Sequence, residues 1–305
     1  MSLSAPIERP DLSPIEHAAW RDLIAARCGI DFAENRSKNL ARGLWGRAVE
    51  VGARSYGEYQ RYLSKSGGDG EWQALLERLV NGETRFWRHQ PSFEGLMDHH
   101  LPRLVSERRY RAGSEGSVVR LWSAGCSTGE EAYSLAIASR VALEGTGLRT
   151  EVFACDLSDV ALVRARRATY PVRSVASLPT ALRRRFLTLI EGAESGASHG
   201  GAGRQGFEVR YAVREEVRRF VRFERANLAE IETEAMAPPG LQDAIFCQNV
   251  LIYFRPERRV EVVRRLASHL APQGVLFLAP GEVIGLSVPE LTAERVPGAA
   301  MYRRA

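Results

Sequence analysis

Three neighbouring features of the sequence could do chemistry together. At Ala124-Gly125-Cys126-Ser127-Thr128-Gly129 small residues stand in a turn, and its glycines lack the Cβ that would hold a backbone away from a ligand. The turn has no lysine, which argues against the phosphate loop of a nucleoside triphosphatase. Glu130 and Glu131 follow at once; acids there are unhelpful to a pyrophosphate and suit a cationic ligand. Further on, Asp156 ends an apolar run. In doubly wound folds an acid at the end of the second strand accepts hydrogen bonds from ribose hydroxyls, and Asp156 serves equally well as a helix N-cap. Together these features describe a receptor for a nucleoside that carries positive charge.

Such residues need strands behind them. Val118–Trp122 is a short β-rich run that leads into the glycine turn, and a helical stretch follows from Glu130 to Leu143. Glu151–Asp156 reads as a second strand and Ser158–Ala168 as a helix. Phe220–Phe223, Ala244–Phe254, a helix opened by Pro256 and the run Gly274–Leu278 continue the alternation. Strands alternating with helices predict a mostly parallel, doubly wound α/β sheet that binds its ligand beyond the carboxyl ends of the strands. S-adenosylmethionine, with ribose, adenine, an ammonium and a sulfonium, fits that receptor better than a dinucleotide does. The alternation breaks between about Ala168 and Phe220. There Glu191–Gly206 holds six glycines and reads as a long loop, while Phe207–Val213 alternates apolar and polar residues as a half-buried strand does.

The first hundred residues show helical spacing only. Ser13-Pro14-Ile15-Glu16 is a capping box with proline at the first helical position, placing Ile15, Ala19, Leu23 and Ala26 on one face. Leu40, Leu44, Ala48 and Val51 form the stripe of a second helix, and Trp72, Leu75, Leu76 and Leu79 mark a third. Phe93, Leu96, Met97 and Leu104 mark another, which Pro102 should kink or end. The reading is an all-helical domain over 1–111, a linker at 112–117, and an α/β domain over 118–305 with a small antiparallel insertion at about 168–219.

The motifs Gly82-Glu83-Thr84-Arg85-Phe86-Trp87-Arg88, Leu121 through Leu135, Asn227-Leu228, and Ile245 through Phe254 resemble those of the CheR-type chemotaxis receptor methyltransferases, from about Asp31 onward. The resemblance implies a class I S-adenosylmethionine-dependent methyltransferase, Rossmann-like, with an N-terminal helical domain and an inserted small antiparallel β-subdomain. It implies methyl transfer to glutamate side chains on the cytoplasmic helical bundle of a methyl-accepting chemoreceptor, leaving S-adenosylhomocysteine. By motif, Thr84 and Arg88 reach the methionine end of the cofactor from the N-terminal domain, with Gly82 beside them. Gly125 and Glu130 flank the ligand at the turn, and Asp156 binds the ribose. Asn227, Leu228, Gln248 and Asn249 line the adenine and methionine pockets, and Tyr253 sits near the transferable methyl. An arginine on the helix after Arg88 also serves the family's active site; Arg103 is the nearest candidate. The chain departs from the family at Gly82, where asparagine is usual, at Ser158, where a second acid is usual, and at Ala279-Pro280-Gly281-Glu282, in place of Gly-His-Ser-Glu.

Charge and composition limit the alternatives. With 45% hydrophobic and 26% charged residues the chain reads as globular. Its longest stretch without Asp, Glu, Lys or Arg, 266–281, is interrupted by Pro272, Gly274 and Pro280, so no membrane insertion is expected. Acidic and basic residues at Glu8, Arg9 and Asp11 argue against a secretory signal. Cys28, Cys126, Cys155 and Cys247 form no CxxC pair; they suit reduced thiols in a cytoplasmic protein and make structural zinc improbable. The net charge of +5 is carried almost wholly by arginine, with fourteen Arg against six Glu between Arg164 and Arg225. That field, with Lys38, Arg42 and Arg47, suits an acidic protein surface. With little aromatic interleaving, no stable nucleic-acid partner is expected. The alternatives are a methyltransferase acting on RNA or a small molecule, and a non-catalytic module that senses the cofactor.

Overall fold

The computed structural model describes residues 9–32, 36–65, 68–80, 82–110, 118–193, 208–230, 238–282 and 287–305. The linker read at 112–117 and most of the glycine-rich stretch at 191–206 lie outside the described residues. The chain forms two compact units, one of residues 1–82 with 253–258, the other of residues 83–252 with 259–305.

The first unit is helical: α1 (Pro14–Cys28), α2 (Ser37–Glu50), α3 (Tyr56–Lys65) and α4 (Gly68–Leu79). The capping box at Ser13 forms as read, and Gly29, left-handed at φ 76°, closes α1. Its buried face is not the expected one. His17, Trp20, Ile24 and Cys28 point inward, while Ile15 is 83% exposed. Trp20 decides this, because its ring stacks on Tyr59 at 5.5 Å and buries more apolar area than the aliphatic stripe offers. In α2, Leu40, Leu44 and Ala48 are buried as read. Between the helices Glu71 is buried; it accepts hydrogen bonds from Arg47 Nε at 3.0 Å and Tyr59 Oη at 2.6 Å. Burial pushes this carboxyl up, but Arg47 and Tyr59 outweigh it and hold it below the ordinary glutamate value. Arg47, also paired with Glu50, is thus committed inside the unit rather than offered for docking, whereas Lys38 and Arg42 are exposed.

The second unit carries α5 (Gln90–Glu94), a π-helical stretch Gly95–His100, α6 (Leu101–Tyr110), β1 (Val118–Ala124), α7 (Glu130–Ala142), β2 (Arg149–Asp156) and α8 (Asp159–Arg167). Then come β3 (Thr169–Pro171), α9 (Val172–Val175), α10 (Thr180–Phe186), β4 (Leu187–Ala193), β5 (Glu208–Val213), α11 (Glu215–Arg218) and β6 (Val221–Arg225). β7 (Gln242–Cys247), α12 (Pro256–Ser268), β8 (Leu270–Leu278), β9 (Leu291–Glu294) and β10 (Ala300–Arg304) complete the chain, with α12 beginning in the first unit. The main sheet runs β6-β2-β1-β7-β8-β10-β9. Its first five strands are parallel, and β10 is antiparallel to both neighbours. A separate antiparallel sheet, β3-β5-β4, forms the inserted subdomain.

Residues 83–110 belong to this second unit and not to the helical one. The reason is apolar: Phe93 stacks on Trp87 at 4.5 Å and reaches Phe246 of β7 at 5.4 Å, and Phe246 meets Phe277 of β8 at 4.4 Å. The helical run also passes through Pro102 instead of ending there. The Leu101 N–H bonds back to the Leu96 carbonyl in the wider π pattern, and that extra residue in the turn makes room for the ring.

Candidate active site

The chain leaves β1 for β2 and β6 on one side, then returns to β7 and β8 on the other. The switch point lies between β1 and β7, where open parallel sheets bind ligands. The glycine turn and the loop after β7 meet here. Gly125 is left-handed at φ 87°, and a Cβ on it would lie 2.4 Å from Val250 Cγ2. Gly129, at φ 94°, would bring a Cβ to 2.8 Å from Ala165 Cβ. Both glycines therefore make room for the protein's own atoms. The turn is bound to β2: the N–H groups of Gly125 and Cys126 both donate to the Cys155 carbonyl at 2.9 Å.

Asp156 continues this clamp, accepting the Ser127 N–H at 2.8 Å on one oxygen and the Ser158 N–H at 2.9 Å on the other. It does not cap α8; Ser158 does, accepting from Ala161 N–H at 3.1 Å. The Leu157 N–H also faces this carboxylate, and with about four acceptor sites Asp156 retains capacity for a hydroxyl. Burial pushes its pKa up in spite of the N–H donors.

Glu130 opens α7, is buried and accepts from Thr128 Oγ1 at 2.6 Å; burial pushes it up too. Glu131 accepts from Ser123 Oγ at 2.6 Å and is pushed up to about 7 by burial and by Glu282, with Arg88 opposing. Glu282 is itself buried and raised by burial, and accepts from the N–H groups of Asn249 at 2.9 Å and Ala279 at 3.1 Å. Four carboxyls thus gather where strands end, and Arg88 is the cation acting on Glu131.

The remaining candidates divide. Asn227 follows β6 next to Asp156, whose carbonyl accepts the Ala226 N–H at 3.1 Å, and both Asn227 and Leu228 are buried. Gln248 donates to Ser92 Oγ at 2.8 Å, and Asn249, left-handed at φ 62°, places Oδ1 2.7 Å from His89 Nε2. Thr84 and Arg88 lie in the sheet-bearing unit, not in the helical one as expected. Arg88 donates to the Glu83 carbonyl at 2.7 Å. Gly82 and Tyr253 belong to the first unit. There the Tyr253 carbonyl accepts the Asp31 N–H at 2.7 Å, and the Arg36 guanidinium lies 5.1 Å from its ring centre. Arg103 is not brought to this group. It is exposed on α6, bonded to Glu107 at 2.9 Å and to Gln273 at 2.9 Å, and Gln273 precedes the part of β8 that pairs with Ala244–Cys247.

Residues 82–295 match the family described as CheR methyltransferase, SAM binding domain, and residues 15–80 match CheR methyltransferase, all-alpha domain. The chain belongs to the CheR methyltransferase family. It is 33% identical to the chemotaxis protein methyltransferase of Escherichia coli K12, over 90% of this chain and 86% of that one. To the chemotaxis protein methyltransferase of Salmonella typhimurium it is 34% identical, over 85% and 81%. It is also 32% identical to the probable biofilm formation methyltransferase WspC of Pseudomonas aeruginosa, over 92% of this chain and 60% of that one.

As a CheR methyltransferase the protein is an S-adenosylmethionine-dependent enzyme of chemotaxis. The donor set fits that cofactor: an excess of carboxyls suits an ammonium and a sulfonium, and Asp156 keeps acceptor capacity for ribose hydroxyls. Among the described residues no cluster of His, Cys, Asp or Glu is arranged to hold a metal ion, and no helix is long and apolar enough to cross a membrane. Glu131 stands where the sequence places it, beside Glu130 among the acids suited to a cationic ligand, whereas Glu282 escaped the sequence reading as a site residue. The signal for Glu282 was an acid soon after the apolar run of β8; only the fold reveals that it turns back toward the loop after β7.

Proposed function

We propose that this enzyme methylates glutamate side chains on the cytoplasmic helical bundle of chemoreceptors, giving γ-methyl esters. The observation that supports it best is the group of carboxyls at the switch point, in a chain whose relatives are chemotaxis protein methyltransferases. When bound, S-adenosylmethionine supplies an electrophilic methyl on a sulfonium. Thr84 and Arg88 hold its methionine end with Glu130 near the turn, Asp156 holds the ribose, and Asn227, Leu228, Gln248 and Asn249 line the adenine and methionine pockets.

The acceptor needs no general base. A glutamate side chain with a reference pKa of about 4.3 is already ionised at neutral pH. The protein's own thiols are poor competitors, since burial pushes Cys155 up to about 12 and Cys126 and Cys247 well above the ordinary thiol value. What remains for the enzyme is alignment and partial desolvation of the acceptor, effects worth several kcal/mol. Lys38 and Arg42, exposed on α2, are docking charges for an acidic bundle. The test mixes the protein with tritiated cofactor and receptor cytoplasmic fragments. Label released as volatile methanol in alkali supports carboxyl methylation; label that survives alkali refutes it.

A further inference from the structure

Beyond its place in that group of carboxyls, Glu282 is 2% exposed and collects backbone donors from two segments. Its Oε2 accepts the Asn249 N–H at 2.9 Å and the Ala279 N–H at 3.1 Å, and its Oε1 accepts the Ile252 N–H at 3.3 Å. The Leu251 N–H also faces it. These donors sit in the loop that follows β7 and in the turn that follows β8, and buried amides of this kind need an acceptor. The same loop holds Asn249 left-handed at φ 62° and carries Val250 against Gly125. A neutral side chain of the same length cannot replace the carboxylate, because an amide NH2 would point donors at donors.

Resting on the functional reading above, we infer that Glu282 is a positioning residue for methyl transfer. Its carboxylate fixes the Asn249–Ile252 loop, and through it the cofactor-facing side chains of Gln248 and Asn249. Glu282→Gln is then a loop defect with a kinetic signature, not simply a loss of stability. The control is Asp243→Asn. Asp243 is another buried carboxylate, paired with Arg108 at 2.6 Å at the start of β7, the opposite end of the same strand.

The experiment measures S-adenosylhomocysteine binding by calorimetry and steady-state methylation of receptor fragments, at a temperature where each variant is folded. Expected is at least a tenfold rise in the cofactor KM and in the Kd for S-adenosylhomocysteine for Glu282→Gln, with the receptor KM within twofold of wild type. Glu282→Asp, which keeps the charge, should recover part of the loss. Asp243→Asn should lower the melting temperature and leave both cofactor constants within twofold. Wild-type cofactor constants in Glu282→Gln, or losses in Asp243→Asn equal to those in Glu282→Gln, overturn the inference. If Glu282→Gln does not fold, Glu282→Asp decides: a cofactor KM raised threefold or more supports positioning, and an unchanged one overturns it. Failure of the wild-type protein to bind S-adenosylhomocysteine would instead defeat the functional reading itself.

Discussion

Replacing Glu131 by glutamine removes a carboxyl that burial and Glu282 have moved from 4.5 to about 7. Between those two values the folded chain holds a proton that the unfolded chain has released, so stability falls as pH rises through the window. The slope is about 1.4 kcal/mol per pH unit, and across the window the loss sums to about 3 kcal/mol. Glutamine keeps an acceptor for the Ser123 hydroxyl, which donates at 2.6 Å, but cannot ionise. The unliganded variant should therefore melt about 5–8 °C above wild type at roughly pH 8, and within about 2 °C of it near pH 4.5. Binding reverses the order, because an ionised carboxyl attracts the ammonium that the cofactor and its product both carry. Wild-type affinity for S-adenosylhomocysteine should weaken as pH falls through about 7, with protons released on binding, while the variant binds more weakly and with little pH dependence. Calorimetric melting of both proteins across the range checks the first half, and titrations in buffers of different ionisation enthalpy check the second. A difference in melting temperature that stays flat from low to high pH would refute the reasoning, since the carboxyl would then ionise as an ordinary surface glutamate does.

Other perturbations follow from the same geometry. Gly125→Ala forces a side chain into a left-handed position against Val250; the cost should be about 2–4 kcal/mol by denaturant midpoint, with activity lost. Arg88→Ala withdraws the cation that lowers the pKa of Glu131, so the acid limb of kcat/KM for the cofactor should move to higher pH. In the first unit, Glu71→Ala leaves the Tyr59 hydroxyl without its acceptor and Arg47 with Glu50 alone, and should cost about 1–3 kcal/mol, read as an earlier melting transition.

Much of this was legible from residue spacing. Outside the break at about 168–220, the order of strands and helices from Val118 to Leu278 follows from short apolar runs punctuated by glycine and by helix-opening proline, and Asp156 stands out because it ends such a run. What sequence spacing could not supply was long-range packing. On α1 two apolar stripes competed, and only the partner ring of Tyr59 decides that Trp20 turns inward. Residues 83–110 look as helical as the segment before them, but Phe93 has its stacking partners on Trp87 and β7. Arg103 was chosen by proximity in sequence to Arg88, whereas the helix between them carries it to Gln273. The resemblance to CheR methyltransferases supplied what periodicity alone does not, the choice of Gln248 and Asn249 as pocket candidates, while their partners Ser92 and His89 emerge only from the fold.

The division of the chain has a consequence for how this protein can be cut and recombined. Its helical unit is closed by Tyr253–Arg258, a piece threaded in from the middle of the other unit, where Arg255 Nε pairs with Asp31 at 3.0 Å. A fragment starting at Glu83 would keep that piece but lose Asp31 and Arg36, leaving Arg255 and Tyr253 stripped of their seating. Exchange of the helical unit between relatives therefore requires two grafts, the amino-terminal segment and the hexapeptide that completes it.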